Sequence, residues 1–140
     1  MAGAGVSENS RSFPRTIDSL PEIFEFIEAF FTLAAIALDH LLPVQFAVEE
    51  LFTNQVKYQP GRTPIVVDLR RNGDDLTVRI TDFGVKPFDI RAVPDAAVDA
   101  PLEERRAGGL GIHVLKRMVD GVDYEFVDGR STTTLTKSLR

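Results

Sequence analysis

Glu50, Asn54 and Lys57 stand at i, i+4 and i+7 in the run VEELFTNQVKY. On a helix turning by about 100° per residue, that spacing puts a carboxylate, a carboxamide and an ammonium on one stripe. The three groups suit a metal–phosphate site. An amide oxygen is a neutral, hard ligand for magnesium, and an ammonium is a point charge for phosphate. A carboxylate one turn back can take a proton from an attacking hydroxyl. Taken alone, the stripe is also what a wet helix face looks like, since charged stripes usually face solvent.

Two further groups lie downstream. Asp82 follows the strand-like run Leu76–Thr81 and stands two residues before Gly84. Aspartate in such a place forms turns readily. It also suits acceptance of a hydrogen bond from an adenine amino group, with Gly84 letting the backbone come close to the base. Next comes Arg105-Arg106-Ala107-Gly108-Gly109-Leu110-Gly111-Ile112. Glycines at the start of a helix offer backbone amides to an anion. The run is not a Walker A loop, because no Gly-Lys-Ser/Thr follows. It is not a dinucleotide fingerprint either, because no βαβ unit surrounds it. Arg105 and Arg106 sit where a lid would bring them to phosphate, and otherwise form a solvated basic pair.

The elements that must position these groups follow from the pattern of apolar residues. Residues 1–11 read as a flexible tail and Ser12–Ile17 as a short edge strand, Pro14 disfavouring a central one. Asp18 or Ser19 then caps a helix, with Pro21 in its first turn and Glu22 completing a capping-box pattern. Its buried stripe is Ile23, Phe26, Ile27, Phe30, Phe31 and Ala34, a 3-4 spacing. A second helix starts around Pro43 and ends before Pro60-Gly61, with Val44, Ala47, Val48, Leu51, Phe52 and Val56 on its core face. Ile65–Arg70 and Leu76–Thr81 alternate as strands around the turn Asn72–Asp75. The stretch 86–107, with three prolines and little periodicity, reads as a lid. A third helix carries Ile112, Leu115, Met118 and Val119, and two strands follow, Val122–Val127 and Thr132–Leu139. Runs of adjacent strands imply antiparallel pairing with helices on one face, an α+β two-layer sandwich.

Composition bounds the rest. At 140 residues with 44% apolar content the chain suits one domain with a real core. A net charge of -5 argues against nucleic-acid binding through a basic surface. The absence of cysteine excludes disulfides, thiolate zinc sites and cysteine nucleophiles, and fits a cytoplasmic setting. No signal peptide is legible, and the apolar run Ala29–Leu38 falls short of the roughly 20 residues a membrane span needs. A membrane is not expected among the partners.

The order of the groups resembles the GHKL ATPase superfamily, the Bergerat fold of gyrase, Hsp90, histidine kinases and MutL. An acid-and-asparagine helix comes first, then a strand ending in Asp-x-Gly, a lid, Gly-Gly-Leu-Gly on a helix and a threonine-rich last strand. The size and wording are similar to anti-sigma factors of the RsbW and SpoIIAB type, which are serine-protein kinases. Glu49-Glu50-Leu51-Phe52-Thr53-Asn54 resembles their N box. Asp82–Asp89 and Gly108–Ile112 resemble their two glycine boxes, and Thr133–Lys137 their last strand. The likeness runs from about residue 12 to 140.

The resemblance implies a Bergerat fold with a mixed, mostly antiparallel sheet, and it implies roles. Asn54 would ligate magnesium and Glu50, rather than Glu49, would be the general base. Lys57 matches a basic position near phosphate. Asp82 would meet adenine with Gly84 as its companion, and Gly109, Leu110 and Gly111 would meet the phosphates. A hydroxyl on the last strand usually assists the base; Ser131, Thr132 and Thr133 compete, with Thr132 favoured. Lys86 stands where the superfamily often has a second glycine, which leaves the hinge of the lid in doubt. The activity implied is ATP- and magnesium-dependent phosphorylation of a STAS-domain anti-anti-sigma protein on serine or threonine, with a sigma factor as a mutually exclusive partner. The alternative is a non-catalytic nucleotide-binding module that sequesters a partner. A two-component kinase fragment is disfavoured, because only nine positions separate His40 from Glu49, too few for a dimerisation hairpin. His40 and His113 are expected to be structural. A homodimer would use the phenylalanine-rich first helix or the early edge strand.

Overall fold

The computed structural model describes residues 6–59, 61–93 and 109–140. In chain order these form β1 (Val6–Phe13), α1 (Leu20–Leu33), α2 (Leu41–Tyr58), β2 (Ile65–Asn72), β3 (Asp75–Phe83), α3 (Gly109–Met118), β4 (Gly121–Val127) and β5 (Arg130–Ser138). Short 3-10 turns lie at Ile17–Ser19, Leu38–His40 and Ile90–Ala92. The strands make one sheet in the order β1-β2-β3-β5-β4. Where the resemblance implied a mixed sheet, every described pairing is antiparallel.

Strand alternation assigns the two faces of the sheet. Ile65, Val67 and Leu69 of β2, Leu76, Val78 and Ile80 of β3, and Leu135 of β5 are buried in one cluster with the helical stripes. That cluster takes in Ile23, Phe26, Ile27, Phe30 and Phe31 of α1, Val44, Ala47, Val48, Leu51 and Phe52 of α2, and Ile112 and Leu115 of α3. Phe13, Phe30, Phe31 and Phe52 are fully enclosed, each contributing roughly 1.5–3 kcal/mol by leaving water. The opposite face is polar, with Asp68, Arg79, Thr81, Thr132 and Thr134 lining an open depression. An antiparallel sheet tolerates one wet face, so the two-layer α+β architecture needs no second helical layer.

The N-terminal segment departs from the sequence reading. β1 runs from Val6 to Phe13, so residues 6–11 of the expected tail are paired with β2, while Thr16 and Ile17 are not strand. The cause is visible along β1: only Phe13 enters the core. Backbone hydrogen bonding holds this edge strand, and polar side chains do not announce that. Residues 1–5 of the expected tail lie outside the described residues. The expected capping box is also absent. Thr16 caps the 3-10 turn, its side chain accepting from the Asp18 amide. The Ser19 hydroxyl donates instead to the Pro14 carbonyl at 2.8 Å.

Of the expected lid 86–107, residues 86–93 are described, and they are pinned. Ile90 and Val93 are buried. The Phe88 amide donates to Tyr124 Oη at 2.9 Å, and Lys116 Nζ donates to the Val93 carbonyl at 2.8 Å. The remainder of the lid, with Arg105 and Arg106, lies outside the described residues. No helix among the described residues is long and apolar enough to cross a membrane.

Candidate active site

The roll of α2 is set by its apolar face. With Val48, Leu51 and Phe52 turned to the core, Glu49 points outward and Glu50 is half-buried. Asn54 lies one turn on and is 7% exposed. Its Nδ2 donates to the Glu50 carbonyl at 2.6 Å and to Glu50 Oε2 at 3.4 Å. Neither bond uses Asn54 Oδ1, the oxygen a hard cation would take. Lys57 is exposed in the last turn of α2 and acts on Glu50 through its charge.

The start of α3 closes on this pair. Gly109, Leu110 and Gly111 lie in its first turn. A Cβ at Gly111 would overlap the Glu50 carboxylate. Sequence spacing offers Gly111 as a glycine near phosphate; the structure adds that only a hydrogen leaves room there for Glu50. The pKa of Glu50 is raised above the usual carboxylate range. Burial is the largest cause and the neighbouring negative charge of Glu49 the second. The Asn54 hydrogen bond and the Lys57 charge oppose them.

Asp82 is the last but one residue of β3, on the helical face, and is fully buried. Its Oδ1 accepts from the Phe83 amide at 2.9 Å and from the guanidinium of Arg15, with which it forms a buried ion pair. Its Oδ2 is buried without a partner among the described residues, as is Gln55 Oε1. Gly84 follows with φ of 67° and donates its amide to the Gly129 carbonyl at 2.9 Å. That left-handed backbone favours glycine.

Strand parity corrects one assignment. Asp82 is paired in register with Ser131 of β5, and Ser131 and Thr133 are buried on the same face. Thr132 points to the other face, into the depression shared with Arg79 and Thr81. The structure therefore brings Ser131 and Thr133 toward Asp82 and turns Thr132 away. Ser131 Oγ is 3.0 Å from Tyr124 Oη, itself the acceptor of the Phe88 amide.

Arg15 is the residue that local spacing missed. It lies just past β1, and Nε donates to the Thr63 carbonyl at 3.2 Å while Nη1 donates to the Gln55 carbonyl at 3.3 Å. Gln55 adjoins Asn54, so Arg15 ties Asp82 to the helix that carries Glu50 and Asn54. His40 occupies the N-cap position of α2. No cluster of three acidic or histidine side chains suited to a metal ion exists among the described residues. A magnesium ion here would be one shared with a phosphate ligand.

This geometry pairs an acid–amide–glycine cluster with a buried carboxylate at a strand end. A family profile described as a histidine kinase-like ATPase domain matches residues 13–137. Curated proteins yield no relative at a significant level of sequence similarity. Among solved structures, the RsbU and RsbW domains of Rv1364c from Mycobacterium tuberculosis superpose with a TM-score of 0.67 at 16% identity, over 95% of this chain and 32% of that one. The present chain thus spans about a third of that relative. The histidine kinase AdeS of Acinetobacter baumannii superposes with a TM-score of 0.50 at 15% identity, over 94% of this chain and 68% of that one. These likenesses show the fold, while the profile, extending over most of the chain, shows the family. The chain belongs to the histidine kinase-like ATPase domains of the GHKL type and is an ATP-binding, kinase-like module.

Proposed function

We propose that the chain is a magnesium- and ATP-dependent serine/threonine protein kinase of the anti-sigma type, acting on a STAS-domain antagonist. The observation that carries this reading is the Glu50 carboxylate, lodged between the Asn54 amide and Gly111 with its pKa raised. A base held at the mouth of a helix N-terminus is where a hydroxyl nucleophile and a terminal phosphate would meet. Asp82 recognises the adenine amino group, and Gly109–Gly111 offer amides to the phosphates. The partner's serine or threonine oxygen bonds to the γ-phosphorus as Glu50 takes the hydroxyl proton. The bond from that phosphorus to the β–γ bridging oxygen breaks, and ADP leaves with the electron pair. Magnesium, with Asn54 Oδ1 as its protein ligand, would supply neutralisation of phosphate charge. The chain contributes mostly position and electrostatics, as phosphoryl transfer requires. The phosphorylated product gains about -1.5 to -2 charges and is repelled by a chain of net charge -5, which frees the kinase for a sigma factor.

The test is incubation of the chain with labelled ATP and candidate STAS-domain proteins. Wild type transfers label to a serine or threonine. Glu50→Gln keeps ATP affinity and loses about 10²–10⁴-fold in transfer, whereas Asn54→Ala loses magnesium-dependent ATP affinity. ATP binding without transfer to any STAS protein would make the chain a sequestering module. Undiminished turnover in Glu50→Gln would remove Glu50 as the base.

The acid side of the pH profile gives a further check. Glu50 accepts a proton only when ionised, so the rate falls as pH drops through a pKa that burial raises above the ordinary carboxylate value. Glu49→Gln removes the second cause of that rise. The acid limb should then move to lower pH with the neutral rate retained. A limb that stays in place would detach it from Glu50.

A further inference from the structure

Arg15 fills one oxygen of Asp82 and leaves the other empty. Oδ1 accepts both the Arg15 guanidinium and the Phe83 amide, which occupies its two lone-pair directions. Oδ2 of the same carboxylate is buried and has no partner among the described residues. Buried polar atoms are nearly always paired in native proteins, so this oxygen points to a donor that a ligand supplies. The guanidinium is held by the carbonyls of Gln55 and Thr63. Gly61 gives it room, because a Cβ there would stand 3.3 Å from Arg15 Cζ. A planar fork fixed on three sides does not swing aside easily.

We infer that Arg15 is a specificity-determining residue of the base site. By holding Oδ1 it leaves Asp82 a single unpaired acceptor, suited to a purine that offers one exocyclic amine. The inference rests on the reading above, in which Asp82 meets the base, and it adds a reason for preferring adenine to guanine. The adenine amine donates to Oδ2. Guanine presents a ring N–H and an amine side by side, a pattern that matches both oxygens of a free carboxylate. With Oδ1 occupied, one of those donors is buried unpaired, and sites reject ligands on that ground strongly.

The experiment measures dissociation constants of the full chain for ATP, GTP and ITP, with folding followed by circular dichroism. Wild type should prefer ATP to GTP by at least about 30-fold, and GTP should bind no better than ITP, since the extra amine finds no acceptor. Arg15→Met frees Oδ1, so the ATP preference should close by about tenfold or more and GTP should overtake ITP. If ATP and GTP affinities fall together and their ratio holds, Arg15 is a structural brace and the inference is overturned. A wild-type preference for GTP over ITP of about tenfold would overturn it with no variant needed, which covers the case of an unfolded Arg15→Met. A wild type that binds no nucleotide overturns this inference and the kinase reading together, whereas ATP binding with an unchanged ratio overturns the inference alone.

Discussion

Gly111→Ala is expected to leave a folded, ATP-binding protein whose phosphotransfer has fallen on the order of 10²-fold. The atoms nearest to the added methyl all belong to the Glu50 carboxylate. That carboxylate is the far end of a flexible side chain, so it swings away at small cost to the fold. Displacing a proton acceptor by about 1 Å is enough for a loss of this size. Gly111 lies in the first turn of α3, and alanine is favoured over glycine in helices by up to about 1 kcal/mol. Stability and catalysis should therefore move in opposite directions: the melting temperature holds or rises while turnover collapses. Combining Gly111→Ala with Glu50→Gln should add little further loss, because both changes remove the same base. Wild-type turnover in Gly111→Ala would show that Glu50 does not work from the position observed.

The second large effect concerns stability. Arg15 and Asp82 have side chains 7% and 1% exposed, so removing either strands a charge in the interior. Arg15→Met and Asp82→Leu should each cost about 3–5 kcal/mol in urea unfolding. The double variant, which replaces the pair with apolar side chains, should lie much nearer wild type than the sum of the two losses. Simple additivity would mean that the two residues do not act as a buried pair.

These two results divide along what was legible in the sequence. Glu50 and Asn54 were readable as a pair because helical periodicity fixes which residues share a face and the apolar stripe of α2 is strong, whereas Gly111 was readable from the glycine run that opens α3. The core residues of both long helices and the hairpin about Asn72–Asp75 were likewise readable from periodicity. Arg15 was not. Its partner Asp82 is distant in sequence, and no local spacing encodes the reach of a long side chain across two elements. Thr132 failed on parity: in a run of consecutive hydroxyls, choosing a face requires the register of β5 against Asp82, and neighbours of the same type give no clue. β1 was placed late because one buried residue, Phe13, is too few to make an alternating pattern. The sequence offers Asp18 or Ser19 as the helix cap, but the chain's bend after Pro14 gives the Ser19 hydroxyl the Pro14 carbonyl as its acceptor.

The pairing of β1 with β2 also orders the assembly of the protein in time. The β2–β3 and β4–β5 hairpins each close over two residues, Gly73-Asp74 and Asp128-Gly129. β1, by contrast, reaches β2 only across α1 and α2, with Phe13 against Ile65. Loop-closure entropy makes the short hairpins the early contacts, and the β1–β2 and β3–β5 pairings, each of long sequence separation, the later ones. Arg15 arrives with β1. Asp82 belongs to a short hairpin, whereas the guanidinium that meets it comes from a segment joined across a long loop, so the ion pair depends on a long-range closure that the hairpin itself does not need. On the proposed reading, the base site is complete only when both long-range pairings have formed, with β1 bringing Arg15 to Asp82 and β5 bringing Ser131.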